Sequence, residues 1–316
     1  MPYAGELSAL ATAVCWSFTA IFFSESGRRI GSFRVNAIRL LMAVVIYAVI
    51  LLVTTGRLFP EDLNRAQVFW LALSGLIGLV IGDGFGFKAL VMIGPRLTTL
   101  LWSTAPIMAT AIAWIFLGEQ LHIVQVLGIV TTMAGVSWVV AERRYRNGNH
   151  FNVELGHPDS GNMGLGVTLG LLAALGQATG LVISKHAMLD LGGTVEPLPA
   201  SFIRMLASMI IIWSFALIRG KFLDTLSAIK HGPAMLFAAG GAVFGPFLGV
   251  WTSLIAVKYI AAGIAATLNS TTPIWIIPNV ILYYREKVTL RAVIGAVVAV
   301  LGVALLFLSD EILRLF

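Results

Sequence analysis

Charge is what this sequence has least of. Asp, Glu, Lys and Arg together make up 11% of its 316 residues, too few to cover the surface of a soluble protein of that length. A water-soluble fold is excluded on that ground. Cysteine occurs once, as Cys15, which excludes an intrachain disulfide and a cysteine-ligated zinc cluster. The five histidines are scattered through or beside polar segments, and no paired His-Glu metal motif occurs. That argues against a membrane-embedded enzyme acting on lipid-linked substrates, which needs clustered acid, base or metal ligands near one interface. No cofactor and no metal site is expected. The glycine-rich tracts Gly82–Gly86 and Gly161–Gly166 follow no strand and contain no Gly-Lys-Ser/Thr, so they are not phosphate loops. Alternation of polar and apolar residues is missing too, which excludes a membrane β-barrel. No Lys or Arg precedes the first apolar run, so no cleavable signal is expected.

What is present is apolar. Hydrophobic residues make up 58% of the chain and the mean hydropathy is +0.92. Runs of about twenty apolar residues recur, enough at 1.5 Å per residue to cross a hydrocarbon core of roughly 30 Å. The pattern predicts an all-α polytopic membrane protein with ten transmembrane helices. Their expected spans are Gly5–Phe23, Arg34–Val53, Val68–Ile93, Leu97–Leu117, Ile123–Ala141, Gly164–Met188, Leu198–Ile218, Pro233–Tyr259, Gly263–Tyr284 and Leu290–Leu308. Thirty-two glycines suit close helix packing in lipid. The polar segment 142–163 reads as a linker. The formal charge of +6 sits in loops. It speaks for membrane topology and lipid headgroups, with no nucleic-acid partner implied. Arg57, Arg65, Lys185, Lys258 and Arg314 fall in loops on the side of the termini, and many more Lys and Arg on the other. The positive-inside bias therefore puts the termini outside.

The chain also repeats itself. At a shift of 167 residues, Ser103-Thr104-Ala105-Pro106-Ile107 falls on Ser270-Thr271-Thr272-Pro273-Ile274. Glu119 falls on Glu286, Gly128 on Gly295, and Gly135 on Gly302. Ser74, Gly78, Gly82 and Gly86 fall on Gly241, Gly245, Gly249 and Ser253, each row spaced by four along one helix face. Arg39 matches Arg204 at a slightly smaller shift. Residues 1–141 and 164–316 are thus expected to be two five-helix repeats. An odd number of helices in each makes the second copy run inverted in the membrane.

Thr104-Ala105-Pro106 and Thr272-Pro273, Gly118-Glu119 and Arg285-Glu286, the paired glycines, and Ala256-Val257-Lys258-Tyr259-Ile260 together resemble the drug/metabolite transporter superfamily, EamA-type branch. The resemblance covers nearly the whole chain in two copies. It implies ten-helix secondary transport by alternating access, in a bacterial cytoplasmic membrane. The implied cargo is an amino acid or related metabolite, moved outward, with protons as a possible coupling ion. A drug or lipophilic-compound exporter is the alternative. Helix 1 has no carboxylate after Glu6, unlike the short multidrug relatives with their membrane-embedded Glu. The expected partners are the bilayer and a small-molecule substrate, and the assembly a monomer or homodimer.

Candidate residues follow from chemistry at membrane depth. Pro106 and Pro273 each remove a backbone hydrogen bond and kink a helix, and such breaks tend to line a cavity. With Gly82 and Gly249 they are the hinge candidates. Ser103 and Thr104, with Asn269, Ser270 and Thr271, can answer the freed carbonyls or face substrate. Asp83 lies inside a helix, where charge is expensive. It is the candidate for protonation or for a substrate ammonium, against the plainer reading of an ion pair with Arg39 or Arg204. Arg39 and Arg204 either snorkel to headgroups or clamp a substrate carboxylate. Trp16, Trp102 and Trp251 are candidate cavity walls, as against plain core packing, and Gln177 adds a polar group at the depth of Trp16. Glu119 and Glu286 read as caps for the helices that follow them.

Overall fold

The computed structural model describes residues 3–60, 63–146, 163–275 and 290–309, and among them the secondary structure is helical throughout with no strand. The elements are α1 (Ala4–Ile30), α2 (Ser32–Thr55), α3 (Arg65–Gly75), α4 (Asp83–Trp102), α5 (Ala105–Leu117) and α6 (Ile123–Arg146). The second half holds α7 (Met163–Leu189), α8 (Pro197–Ile218), α9 (Phe222–Ser227), α10 (Gly232–Ala242), α11 (Val250–Tyr259), α12 (Ala262–Asn269) and α13 (Leu290–Phe307). Local chemistry sets several ends. Gly31 and Gly56 adopt φ of 85° and 72° where α1 and α2 stop, a conformation that costs glycine little. Asn64 and Gln67 form a reciprocal capping box that starts α3.

Two π-helical segments interrupt this pattern. Leu76–Gly82 joins α3 to α4, and Val243–Gly249 joins α10 to α11. The two are 167 residues apart at both ends, so the repeat extends to the hydrogen-bonding pattern of the backbone. Each coincides with a glycine stripe. Gly82 and Gly249 are the last residues of their segments.

Five described stretches are long and apolar enough to span a membrane: Phe33–Thr55, Arg65–Ala89, Met163–Leu189, Pro197–Ile218 and Gly232–Tyr259. Helical backbone continues from Asp83 to Trp102, yet the chain reverses within it. A Cβ on Gly86 would lie 2.5 Å from Trp102 Cζ2, whereas a straight helix would hold those residues about 24 Å apart. The third and fourth passes are therefore separate, as the expected spans have them. Other spans differ. α1 extends seven residues past Phe23, and α6 runs on to Arg146, so residues 142–146 belong to a helix. The rest of the linker, to residue 162, lies outside the described residues. So do Glu286 and the ninth helix beyond residue 275.

The two halves interlock with a twofold logic. α2 packs on α8, α5 on α12, and α6 on α13, while α4 packs on α7 and α1 on α10 and α11. Each half thus lays its first helix on the π-bearing helix of the other. α6 and α13 make the closest seam. A Cβ on Gly135 would lie 2.6 Å from the Gly295 carbonyl, and one on Gly128 2.8 Å from Leu306. Their outer faces carry exposed Val126, Leu127, Val130, Val297, Val300 and Leu301, which suits contact with lipid.

Gly135→Leu is expected to destabilise the purified protein by about 1–3 kcal/mol, the usual range for overpacking, read as a lowered Tm in detergent. Gly84→Ala, with nothing within 4 Å of the added carbon, should leave Tm unchanged or slightly raised.

Candidate functional site

A buried polar cluster joins the two halves. Arg39 of α2 forms an ion pair with Asp83 at the start of α4, their side chains 4% and 14% exposed. The other Asp83 oxygen, Oδ1, accepts from Gln177 Nε2 of α7 at 2.6 Å. Gln177 Nε2 also donates to the Gly78 carbonyl inside the first π segment at 3.0 Å. Arg39 Nε donates to Asn36 Oδ1 at 2.7 Å, and the guanidinium lies 5.4 Å from the Phe23 ring and 5.6 Å from the Phe87 ring. Asp83 is thus held by one partner from each half. It is not a free carboxylate, and the ion pair is the reading that the geometry supports. Lys88 is exposed and takes no part. Gln177 sits on Asp83, and Trp16 on Gly249 of the second π segment.

The α3–α7 crossing brings this cluster together because both helices offer glycine. A Cβ on Gly176 would lie 2.9 Å from the Gly82 Cα, and one on Gly180 3.1 Å from the Gly78 Cα. Contact this close lets Gln177 reach a backbone carbonyl that a bulkier face would shield. In the second half the matching stripe meets side chains instead. A Cβ on Gly245 would be 2.7 Å from Thr19 Cγ2, and one on Gly249 3.4 Å from the Trp16 indole. Trp251 stacks on Phe247 with ring centroids 5.8 Å apart. The Tyr47 hydroxyl donates to the Phe247 carbonyl at 2.8 Å, so α2 anchors the second π segment.

Arg204 lies in α8 and is 5% exposed. Its Nη2 is 3.6 Å from where a Gly78 Cβ would sit, which sets it beside the cluster. Its Nε has no hydrogen-bond partner among the described residues.

Helices four and nine are broken in the same way. A turn at Ser103–Thr104 separates α4 from α5, and one at Ser270–Thr271 separates α12 from the helical residues 272–275. Pro106 and Pro273 do not kink a continuous helix. Each falls in the first turn after a break, where its missing N–H is not needed. The Thr104 hydroxyl donates to the Leu101 carbonyl at 2.6 Å, and Thr271 to Leu268 at 2.7 Å. Ser270 donates to Thr267, and Thr272 to the Asn269 carbonyl that Pro273 leaves unbonded, both at 2.8 Å. Ser103 is buried in the first of these turns. Just before the breaks stand Trp102 and Asn269, equivalent positions of the repeat. Trp102 packs on Gly86, and Asn269 Nδ2 reaches Ser253 Oγ at 3.5 Å. Trp102 Nε1 and Asn269 Oδ1 are both buried without a partner among the described residues.

Glu119 caps a helix, but not the one that follows it. Its Oε2 accepts from Ala262 N at 2.8 Å, at the head of α12 in the other half. Its Oε1 pairs with Lys185 of α7 at 2.6 Å, and Lys185 Nζ donates to the Ile260 carbonyl at 2.7 Å. Lys185 is therefore no loop charge but part of a latch between repeats. Lys258 Nζ meets Glu196 at 2.7 Å on the same end. Sequence reasoning missed Lys185, Tyr47 and Asn36. The last stands three residues before Arg39, the helical spacing at which side chains meet, and could have been found.

Comparison with known proteins bears on this arrangement. A family model described as the EamA-like transporter family matches residues 3–141 and 164–308. No curated protein matches. A solved crystal structure, 16% identical, superimposes with a TM-score of 0.74 over 99% of this chain and 99% of its own. At that identity the likeness concerns the fold.

Asp83→Asn removes the partner of a buried guanidinium and is expected to cost about 3–5 kcal/mol. Asp83→Asn combined with Arg39→Gln should recover part of that loss. A double-mutant cycle on thermal unfolding measures the coupling, and additive losses would show that the pair contributes nothing.

Proposed function

Because the chain belongs to the EamA-like transporter family, we propose that it is a secondary transporter for a small metabolite, an amino acid or related compound, exported across a bacterial cytoplasmic membrane by alternating access. The observation that carries this reading is the Arg39–Asp83–Gln177 cluster. Charge inside a membrane is expensive and marks pathways for substrate or ions, and this charge lies where the two repeats meet. Among the described residues no cluster of His, Cys, Asp or Glu is fit to hold a metal.

The two π segments and the two helix breaks supply the places where the scaffold can bend. Helices three and eight rock about Gly82 and Gly249, and helices four and nine give way at the turns before Pro106 and Pro273. The Glu119–Lys185 latch closes the end of the molecule at which α1 begins, where Gly5 packs on Ile260. Asp83 is the group through which protons would couple to transport, since its protonation would release Arg39 and Gln177 together. The unpartnered atoms of Trp102 and Asn269 offer one donor and one acceptor to cargo between the breaks. Export of lipophilic drugs fits this set less well, because a site with fixed charge suits a polar cargo.

Purified protein in liposomes is expected to take up members of a labelled amino-acid mixture faster than protein-free vesicles, and an imposed pH gradient to change the level reached. Uptake indifferent to the gradient would remove Asp83 from coupling. Absence of amino-acid uptake alongside transport of lipophilic cations would replace this reading with the drug exporter.

A further inference from the structure

The two repeats supply two buried arginines and one carboxylate. Arg39 stands seven residues into α2 and Arg204 seven residues into α8, about 10 Å from opposite ends of the bundle. They are counterparts, but their surroundings are not. The carboxylate that answers Arg39 is Asp83. At the repeat shift its place in the second half is taken by Val250.

Among the described residues, Arg204 donates no side-chain hydrogen bond and forms no ion pair. Asp83 and Tyr47 are the titratable groups within its electrostatic reach, and both make their hydrogen bonds to other groups. One Asp83 oxygen is on Arg39 and the other accepts from Gln177. The Tyr47 hydroxyl donates to the Phe247 carbonyl. The Ser208 hydroxyl donates to the backbone carbonyl of Arg204 itself, at 2.7 Å, which leaves the guanidinium untouched. Snorkelling does not explain the residue either. A snorkelling arginine keeps its head in water, whereas Arg204 is 5% exposed. Among the described residues, the group of Arg39, Asp83 and Arg204 therefore carries one positive charge in excess, on a side chain whose Nε lacks an acceptor. A buried unpaired guanidinium is costly and is tolerated where function requires it.

We infer that Arg204 is the anion anchor of the transport site, and that the cargo is a carboxylate-bearing monoanion rather than a neutral zwitterion. This rests on the transport reading above and narrows its cargo. A carboxylate fits the planar fork of a guanidinium and accepts two parallel hydrogen bonds from it. One negative charge brings the buried total to zero. A zwitterion would leave the excess in place, because its ammonium finds Asp83 already taken. Gly78 lets the backbone of the first π segment come close to the anchor: a Cβ there would stand 3.6 Å from Nη2 and 3.7 Å from the Gly176 carbonyl.

Two measurements test this. The first needs no cargo. Arg204→Met, which keeps much of the volume and removes the charge, is expected to leave the Tm of the unliganded protein unchanged or raised. Arg39→Met should lower it. A fall for Arg204→Met as large as that for Arg39→Met would show a structural partner and overturn the inference. The second measures thermal stabilisation by glutamate, aspartate and lactate against glutamine, asparagine and sodium chloride at equal ionic strength. The carboxylate anions should stabilise the native protein, and Arg204→Met should weaken that effect roughly tenfold or more. Equal stabilisation by glutamine and glutamate, by chloride alone, or by none of these would overturn the assignment. Stabilisation that depends on Arg204 without movement of the same anion into liposomes would leave the anchor standing and refute transport.

Discussion

A chain in lipid has no water to satisfy its polar groups, so each must find a partner inside the protein. That constraint accounts for most of the irregular structure here. At both helix breaks, hydroxyls one turn away take up the carbonyls that the turn releases. Where the chain passes from α11 to α12, the exposed backbone is answered by Lys185 on the Ile260 carbonyl and Glu119 on the Ala262 amide. The second π segment receives the Tyr47 hydroxyl on its carbonyls, and the first receives Gln177. In each case a side chain closes a gap in the backbone ladder. The few polar atoms left without a partner stand out against that background.

The repeat explains where these features recur, and its exceptions explain where they do not. The π segments, the breaks and the α6–α13 glycines are shared between the halves. The contact faces of the π segments are not. The first lies against the Gly176 and Gly180 backbone, and the second against Phe23, Thr19 and Trp16. Glycine on glycine gives a smooth crossing, while the second crossing is keyed by side chains. The polar cluster likewise forms at only one of the two: Asp83 and Gln177 gather at the first π segment, whereas Val250 and Trp16 stand at the second.

Much of this was legible in the sequence. The shift of 167 residues located the halves, the glycine stripes and the helices that break. Glycine spacing marked α6 and α13 for scaffold or dimer contact, and the structure packs them against each other. The π segments left no mark of their own, because a change of hydrogen-bond register in an apolar run alters no residue type. Proline pointed to the breaks but misplaced them by two residues, since it tolerates the first turn of a helix as readily as it bends a longer one. Glu119 was legible as a cap from its place near a helix end. Its target was not, because the α12 amide lies 143 residues away along the chain. Asp83 was legible as expensive, but the sequence left an ion pair with Arg39 or Arg204 as one alternative, and only the folded arrangement of α2 and α4 selects Arg39.

The ion pair and the latch sit at different depths and are made by different means, which bears on how the halves can separate. The latch joins α5, α7 and the α11–α12 connection through one lysine and one carboxylate at the end where α1 begins. The cluster joins α2, α4 and α7 deeper in the bundle. α7 is common to both, and it also carries the glycines of the smooth crossing. A displacement of α7 along the first π segment would therefore strain the Gln177–Asp83 bond and the Lys185–Glu119 pair at the same time. α8 holds no part of either, although Arg204 projects from it toward the cluster. The glycine crossing of α7 and the guanidinium of Arg204 on α8 thus meet from two different helices of the second half, across one π segment of the first.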